Sequence, residues 1–586
     1  MAFLVTLLLA GASLVALYKY LVHPAFLSPL AKVPAANFCA RLSTLWISYI
    51  RWRNVENRAV LALHAKHGPI VLLGPNEVSI NCYEGGLKTV YGGGFAKTDF
   101  YPLQFAFYGV PNMFSTAPSE PHSIRKRMVS HTYSKSALLS SPSLRATTRH
   151  MLFARLMPIL SLHAASGEPL EVLRLAHAYS MDSFTAFQFG LPQASRWLLD
   201  EGERNWYLKN WMAIRPYVWW LTEAPTLMRI LRDWLNINVI PKTVLDGLKQ
   251  LEDWNLAKCD GAAKALSSPC KPANNKEQGG SAAANHPTIF ATLLAHFQKH
   301  HGPDCYSLPL STPSAQPTTH ANNPRPRPVL ELASEMFDHN AAAMETSGLT
   351  LTWLLYELSL RPHLQRRLRA ELLTLSPPMH YHKDASGESP QKQQQQPLLP
   401  DPKQLDALPL LDAVIRETLR LWPAVSGRQP REIPGEGAEL AGCAGRLPAG
   451  VRVQAYAYVL HRTGEVFAEP EAWKPERWMM RRGKDKRAEG EGGGEEEESE
   501  KRRLAEMRRW FWAFGSGSRA CIGQHFAWNA MKHFVAAVYL NFTTEIVDAE
   551  GIEMSDGWVT SPKGERLALR FRRVGVDDSP PHATNT

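Results

Sequence analysis

The sequence predicts a mainly α-helical fold with a minor β-sheet portion, carried behind a single N-terminal transmembrane helix. Three observations support that class. The opening residues, MAFLVTLLLAGASLVALY, contain no charge, and apolar character resumes at Tyr20–Val22 after Lys19. Residues 150–190 and 196–250 hold long helical patterns rich in Leu, Ala and Trp. Alternating runs of the strand type are short, and most of them fall late in the chain. Hydrophobic residues make up 45% of the 586, so a large core is available.

Each element follows from local composition. A helix of about 20 apolar residues spans a bilayer core, so residues 1–22 are expected to form an anchor. A cleaved signal peptide is the competing reading, but it wants a basic stretch ahead of the apolar run, and none is present. Lys19, Lys32, Arg41, Arg51 and Arg53 all follow the run, which places the remainder on the cytoplasmic side. Pro24, Pro29 and Pro34 then mark a stiff hinge within residues 23–59. Residues 55–67 have helical composition. Ile70–Leu73 and Glu77–Asn81, split by Gly74-Pro75-Asn76, read as a hairpin. Ser115–Pro121 is loop-like, and His122–Ser140 reads as a basic, then amphipathic helix. Leu332–Leu358 is a long helix candidate, Leu447–Tyr458 a turn followed by an alternating strand, and Leu567–Phe571 a terminal strand.

Four stretches look unlike core: 257–287, 303–328, 378–402 and 481–503. They are rich in Pro, Ser, Asn, Gln, Gly or charge and cannot bury enough apolar area to offset ordering entropy. They are expected to be surface insertions in one domain spanning 60–572, followed by a tail at 573–586. The formal net charge of +10 suits an acidic partner or an anionic membrane surface. Nucleic acid is not expected, because zinc-ligand spacing and a basic reading helix are both missing. Seven cysteines, an odd number at scattered spacings, give no disulfide framework and suit a reducing compartment.

The most informative segment is Phe514-Gly-Ser-Gly-Ser-Arg-Ala-Cys-Ile-Gly523. It sets Cys521 in a glycine-bearing loop with Arg519 two residues before it. Nearby positive charge and backbone N–H groups favour a thiolate, the form that binds metal. Glycines allow the backbone to turn sharply and approach the sulfur. That is the chemistry needed to hold a haem iron. Within the Leu332–Leu358 helix, Ala342-Ala-Met-Glu-Thr-Ser347 combines small residues with an acid beside a hydroxyl. Small residues let a flat cofactor pack, and Glu345 with Thr346 can relay protons. The hydroxyls can also bond back to the i−4 carbonyl and bend the helix. The alternative is an ordinary amphipathic helix whose Thr346 faces solvent. Glu417 and Arg420, at i and i+3, share a helix face in Ile415–Pro423.

Together these segments resemble the cytochrome P-450 family, the haem-thiolate monooxygenases, over roughly residues 60–572. The resemblance implies the cytochrome P-450 fold and haem b, its iron ligated by Cys521. It implies that Arg519 binds a haem propionate and that Phe514 lies near the sulfur. By position Arg431 is the second propionate arginine, with Arg428 as a substitute. His122 and Lys126 stand where the family has a Trp-x-x-x-Arg propionate contact; a solvated basic face that docks an acidic partner is the other reading of His122–Arg127. Glu345 and Thr346 match the oxygen-activation motif, with Ala343 where glycine is common. Glu417, Arg420 and the Arg477 of Pro475–Trp478 match a buried structural triad on the proximal side. Two aromatic regions, Phe100–Phe114 and Trp206–Trp220, correspond to a substrate loop and a mobile roof.

The function so implied is activation of dioxygen and insertion of one oxygen atom into an apolar small molecule. An NADPH-dependent flavin reductase supplies electrons, and the chain sits single-pass in the endoplasmic reticulum membrane with its catalytic domain facing the cytosol. The hinge, the His122–Arg127 stretch followed by Ser130–Ser134, and the insertions look like fungal members, many of which act in secondary metabolism. Two alternatives stay open: a haem-thiolate isomerase or dehydratase that needs no reductase, and a non-catalytic haem-binding protein. Glu345 and Thr346 argue against the first, the pocket aromatics against the second.

Overall fold

The structure is a computed structural model that describes residues 2–267, 282–306, 326–381, 398–442, 445–480 and 493–575. Helix α1, Ala2–Leu17, is followed without a break by a wider π-type turn, Tyr18–Leu27. Bonding at i→i+5 lets the chain pass Pro24, which has no N–H to donate. The helical, apolar segment therefore runs from Phe3 to Leu27, past the boundary expected at Val22, and is long and apolar enough to cross a membrane. The hinge starts at Ser28, whose side chain caps the next short turn by accepting the Leu30 N–H.

The expected hairpin forms as β1 (Ile70–Gly74) and β2 (Glu77–Ile80), with Ile70 opposite Ile80. The remaining elements that position the site are β3 (Leu170–Glu171), α2 (Val172–Phe189), α3 (Glu201–Met212), α4 (Lys242–Ser267), α5 (Arg327–Ser359) and α6 (Pro409–Leu421). They are followed by β4 (Arg431–Glu432), β5 (Arg452–Gln454), α7 (Gln524–Asn541), β6 (Phe542–Asp548) and β7 (Ala568–Arg573). One sheet has the order β1-β2-β5-β4, with β2 and β5 parallel and its other pairs antiparallel. The second, β3-β7-β6, is antiparallel throughout. A mainly helical fold with two small sheets is thus what the chain adopts.

The core is built around α5, which buries side chains on all its faces, Leu332, Met336, Leu351, Trp353 and Leu358 among them. A helix apolar all round belongs in the interior. Each such side chain contributes roughly 1.5–3 kcal/mol by leaving water. Helix α2, itself almost wholly buried, packs along α5. The approach is closest at Gly348, where a Cβ would come within 2.3 Å of His177 Cδ2 and 3.0 Å of His177 Cα. Only glycine permits that spacing.

Several expectations need correction. The helix read as His122–Ser140 is two helices, Ser119–Val129 and Lys135–Leu139, because Ser134 caps the second by accepting the Ala137 N–H at 3.3 Å. The strand within Leu447–Tyr458 shrinks to β5: the Ala455 N–H goes to the Tyr91 hydroxyl at 2.8 Å, and the chain then enters the short helix Ala457–Leu460. Residues 257–267 are not loop; they complete α4 and bury Cys259, Ala262 and Ala263. Small apolar residues there pack at a helix interface, which bulk composition does not reveal. Residues 493–503 lie in the helix Gly493–Trp510, laced by Lys501–Glu497 (2.7 Å) and Arg502–Glu498 (3.3 Å) pairs one turn apart. Of the four expected insertions, residues 268–281, 307–325, 382–397 and 481–492 lie outside the described residues, as do 576–586 of the tail. Met379 and Leu399, within the stretch 378–402, are both buried.

Candidate active site

The cysteine loop links the helix Gly493–Trp510 to α7. Its tight course needs glycine at Gly517, where φ is +69° and a Cβ would meet the Tyr91 carbonyl oxygen at 1.9 Å. The Cys521 N–H donates to the Phe514 carbonyl at 2.9 Å, closing the loop. Cys521 stands just before α7, so the N–H groups of Gly523 and Gln524 reach its sulfur. Burial pushes the thiol up, while those two N–H groups and Lys126 pull it toward the thiolate. Its side chain is open, although deep in the molecule, because it faces a cavity of about 250 Å³.

The same cavity is lined by Phe514, Arg519, His122, Lys126, Glu345 and Thr346. Of the eight expected site residues, only Arg431 is not on the wall; it lies buried close by, donating to the Tyr101 hydroxyl at 2.7 Å. Arg428 turns elsewhere and pairs with Glu223, so Arg431 is the arginine near the cavity. Lys126 donates to the carbonyls of Ser518 (2.7 Å) and Ala520 (3.1 Å), and Arg519 to those of Thr116, Ala117 and Pro118. The His122–Arg127 stretch does not form a solvated basic face. His122 is buried, Lys126 turns to the cysteine loop, and Arg125 pairs with Glu331 and Glu335; Arg127 alone of these is exposed.

One cation on this wall carries no local sequence signal. Lys97 is 5% exposed, donates to the Phe114 carbonyl at 2.6 Å and lies over the Phe114 and Tyr101 rings. Lys97, Lys126, Arg431 and Arg519 thus crowd one region, and their hydrogen bonds go to carbonyls and a hydroxyl, with no carboxylate ion-paired to any of them among the described residues. Burial, then mutual repulsion, drives Lys97 well below its ordinary value and Arg519 down to about 10. Burial followed by the same cations lowers His122 to about 3, so the ring is neutral, and its Nδ1 has no partner among the described residues. Four crowded cations beside a thiol call for an anionic ligand.

On the opposite wall, α5 presents Ala342, Glu345 and Thr346. The Thr346 hydroxyl donates to the Ala342 carbonyl at 2.7 Å, the bond-back expected, and the helix continues uninterrupted to Ser359. Glu345 Oε1 accepts from Trp211 Nε1 at 2.8 Å and Arg215 Nη2 at 2.9 Å, which ties α5 to the end of α3 and the turn after it. Of the two aromatic regions, Phe105, Phe107, Phe114 and Trp211 reach the cavity; Trp206, Tyr217, Trp219 and Trp220 do not. Trp558 from a late loop also lines it.

Behind the cysteine loop, Glu417 is fully buried. It accepts from Arg420 Nε and Nη2, Arg477 Nε, the Lys474 N–H and Trp478 Nε1, each at 2.8–2.9 Å. Arg420 also binds the His461 carbonyl, and His461 Nε2 takes the Trp512 N–H at 2.7 Å. Trp512 Nε1 in turn donates to Ser516 Oγ inside the loop. The brace therefore reaches the cysteine loop through His461, which sequence reasoning did not single out.

Comparison with known proteins agrees with this arrangement. A family profile described as cytochrome P450 matches residues 318–569. A cytochrome P450 monooxygenase of Aspergillus versicolor is 25% identical over 480 residues, 81% of this chain and 95% of that protein. Pisatin demethylase of Fusarium vanettenii is 24% identical, covering 92% of this chain and 90% of its own length. Fusicoccadiene 8-ol C-16-hydroxylase of Phomopsis amygdali is 23% identical, covering 95% and 90%. These matches take in the long helix and the cysteine loop that face each other across the cavity: residues 318–569 match the cytochrome P450 domain, and the chain as a whole is similar to fungal cytochrome P450 monooxygenases.

Proposed function

We propose that the protein inserts one oxygen atom from dioxygen into an apolar small molecule, using haem b held through Cys521. One observation carries this reading: a thiol at the start of α7, met by two backbone N–H groups, shares a cavity with the acid–hydroxyl pair of α5. Haem also fits the charge of the site. Its two propionates are anions, and Lys97, Lys126, Arg431 and Arg519 form a cationic set without carboxylates of its own. Bound there, haem supplies dioxygen binding and its reductive activation.

The chain's own residues do the rest. The N–H groups of Gly523 and Gln524 stabilise negative charge on the Cys521 sulfur. Both hydrogen bonds to Glu345 fall on Oε1, which leaves Oε2 to take up a proton and pass it to the Thr346 hydroxyl. Phe105, Phe107, Phe114 and Trp211 exclude water and hold hydrocarbon. Electrons come from an NADPH-dependent flavin reductase. The anchor holds the chain in the endoplasmic reticulum membrane, catalytic domain to the cytosol. Exposed apolar side chains support contact with lipid: Leu45, Tyr49 and Trp52 on one helix, and Leu227, Ile230 and Trp234 on another. The fungal relatives include one named fusicoccadiene 8-ol C-16-hydroxylase, which suits a step in secondary-metabolite biosynthesis.

The test is Cys521→Ala. The purified variant is expected to lose the carbon-monoxide difference band of a thiolate-ligated haem, or to lose haem altogether. An unchanged band would overturn the assignment.

A further inference from the structure

Tyr133 lies in the turn between the helices Ser119–Val129 and Lys135–Leu139 and reaches the wall of the cavity that holds Cys521. It is 3% exposed and belongs to the same apolar cluster as Phe184, Met336 and Phe526. Its hydroxyl meets Nδ1 of His339, on α5, at 3.1 Å, and the two rings stand edge to face. Burial holds His339 down to about 4, so the imidazole is neutral; its Nε2 has no partner among the described residues. A phenol is the better donor and an imidazole nitrogen the better acceptor, so the bond runs from Tyr133 to Nδ1. Burial, then Cys521, Asp338 and Glu335, push the phenol well above its ordinary value, so it does not ionise by itself. Other buried tyrosines lack this combination. The hydroxyls of Tyr91, Tyr108 and Tyr179 donate to carbonyls, and that of Tyr101 accepts from the cation Arg431. Tyr456 donates to the Glu56 carboxyl but lies off the cavity wall.

We infer that Tyr133 is a redox-active tyrosine, which gives one electron to the haem site and its phenolic proton to His339 when a peroxide oxidises that site and no substrate is bound. The inference rests on reading this cavity as the haem chamber. A phenol that loses an electron becomes a very strong acid, so its oxidation is easy only where a base already holds the hydrogen bond. A carbonyl cannot take up the proton; a neutral imidazole can. As the peroxide O–O bond breaks, two electrons leave the haem site and one oxygen departs as water. Tyr133 returns one of the two. Its O–H bond breaks, the proton becomes the Nδ1–H of His339, and a neutral phenoxyl radical stays behind. The haem site keeps one oxidising equivalent. Ascorbate, an ene-diol, then supplies one electron to each, and the proton passes back from Nδ1 to the phenol oxygen. Burial disfavours the imidazolium and so drives that return. The pair thereby spares Cys521, whose sulfur opens onto the same cavity and is otherwise the group a stranded oxidant attacks.

The experiment mixes substrate-free holoenzyme with hydrogen peroxide, freezes it rapidly and records electron paramagnetic resonance. A tyrosyl signal is expected, its hyperfine pattern collapsing when the protein is made with ring-deuterated tyrosine, and ascorbate should erase it. Tyr133→Phe is expected to lose the signal while keeping its carbon-monoxide difference band. His339→Gln keeps a hydrogen-bond acceptor but removes the base, and is expected to lose the signal too. Oxidation of Cys521, read by mass spectrometry, should rise in both variants. A wild type without a tyrosyl signal overturns the inference. So does a signal that survives either substitution at full strength. A merely structural Tyr133 would lower haem content and leave the radical yield per haem unchanged, which also overturns it. A protein that binds no haem overturns the proposed function and this inference together, whereas a normal carbon-monoxide band without a tyrosyl signal overturns this inference alone.

Discussion

Lys97 shows how a single residue can be understood only from its surroundings. Its ammonium is buried beside three other cations and donates to a carbonyl, an arrangement that disfavours charge until an anion arrives. Lys97→Leu should therefore leave the apoprotein at least as stable as the wild type and weaken haem binding about tenfold, or about 1.4 kcal/mol. Haem titration of apoprotein alongside apoprotein unfolding would measure both. A variant that binds haem normally would remove Lys97 from the propionate site. Nothing in Phe95-Ala-Lys-Thr-Asp99 marks this lysine, because its burial is created by packing against Tyr101 and Phe114. Cys521, Arg519 and Phe514 were legible because their chemistry is compressed into ten consecutive residues, and Glu345 with Thr346 because an acid and a hydroxyl stand together among small residues. His122 and Lys126 were legible as positions, but their direction, inward rather than toward solvent, came only with the fold.

At the scale of elements, the cysteine loop keeps its shape because a buried ionic brace holds its neighbours. Glu417 gathers two arginines, a backbone N–H and an indole, and Arg420 passes the constraint through His461 to Trp512. Removing the anion leaves two buried guanidinium groups unmatched. Glu417→Gln is expected to cost about 3–5 kcal/mol in unfolding experiments. His461→Ala strips the Trp512 N–H of its acceptor and is expected to cost about 1–3 kcal/mol. Faster amide exchange at Trp512–Cys521 in both variants would show that the brace acts on the loop; native exchange rates there would refute it. The glutamate and Arg420 were readable from their i, i+3 spacing and Arg477 from its segment, but His461 was not, since it meets Arg420 across 41 residues, through its carbonyl and its Nδ1. Helices were generally easier to read than strands. The pattern at Leu447–Tyr458 alternates well beyond β5, yet a side-chain hydroxyl from Tyr91 takes the next N–H and ends the strand. Composition misjudged 257–267 for a related reason: small residues score as loop, and they are also what a tight helix interface requires.

Over the whole molecule, the number of neutral buried histidines sets a pH limit. Burial lowers His64, His339 and His533 to about 4, and His122, His177 and His461 to about 3. The unfolded chain protonates the same rings near pH 6.5, so between about pH 6.5 and 4 the unfolded state binds more protons than the folded one. Stability must then rise with pH across that window and fall on acidification. Between about pH 7.5 and 5.5 each histidine removes about 1 kcal/mol, several kcal/mol for the six together. Asp338 and Glu56 oppose the trend, because burial raises their carboxyls to about 8 and about 7, so they stay protonated in the folded state and favour folding as pH falls. The six imidazoles outnumber these two carboxyls. Thermal unfolding followed by circular dichroism through this range should show the midpoint dropping steadily below about pH 6.5. His533→Gln, which removes one ring remote from the cavity wall, should shallow the slope by about a sixth of the histidine share. A midpoint that is flat between these pH values would mean that the rings are protonated inside the fold, and with them the packing described for α2, α5 and α7 would be wrong.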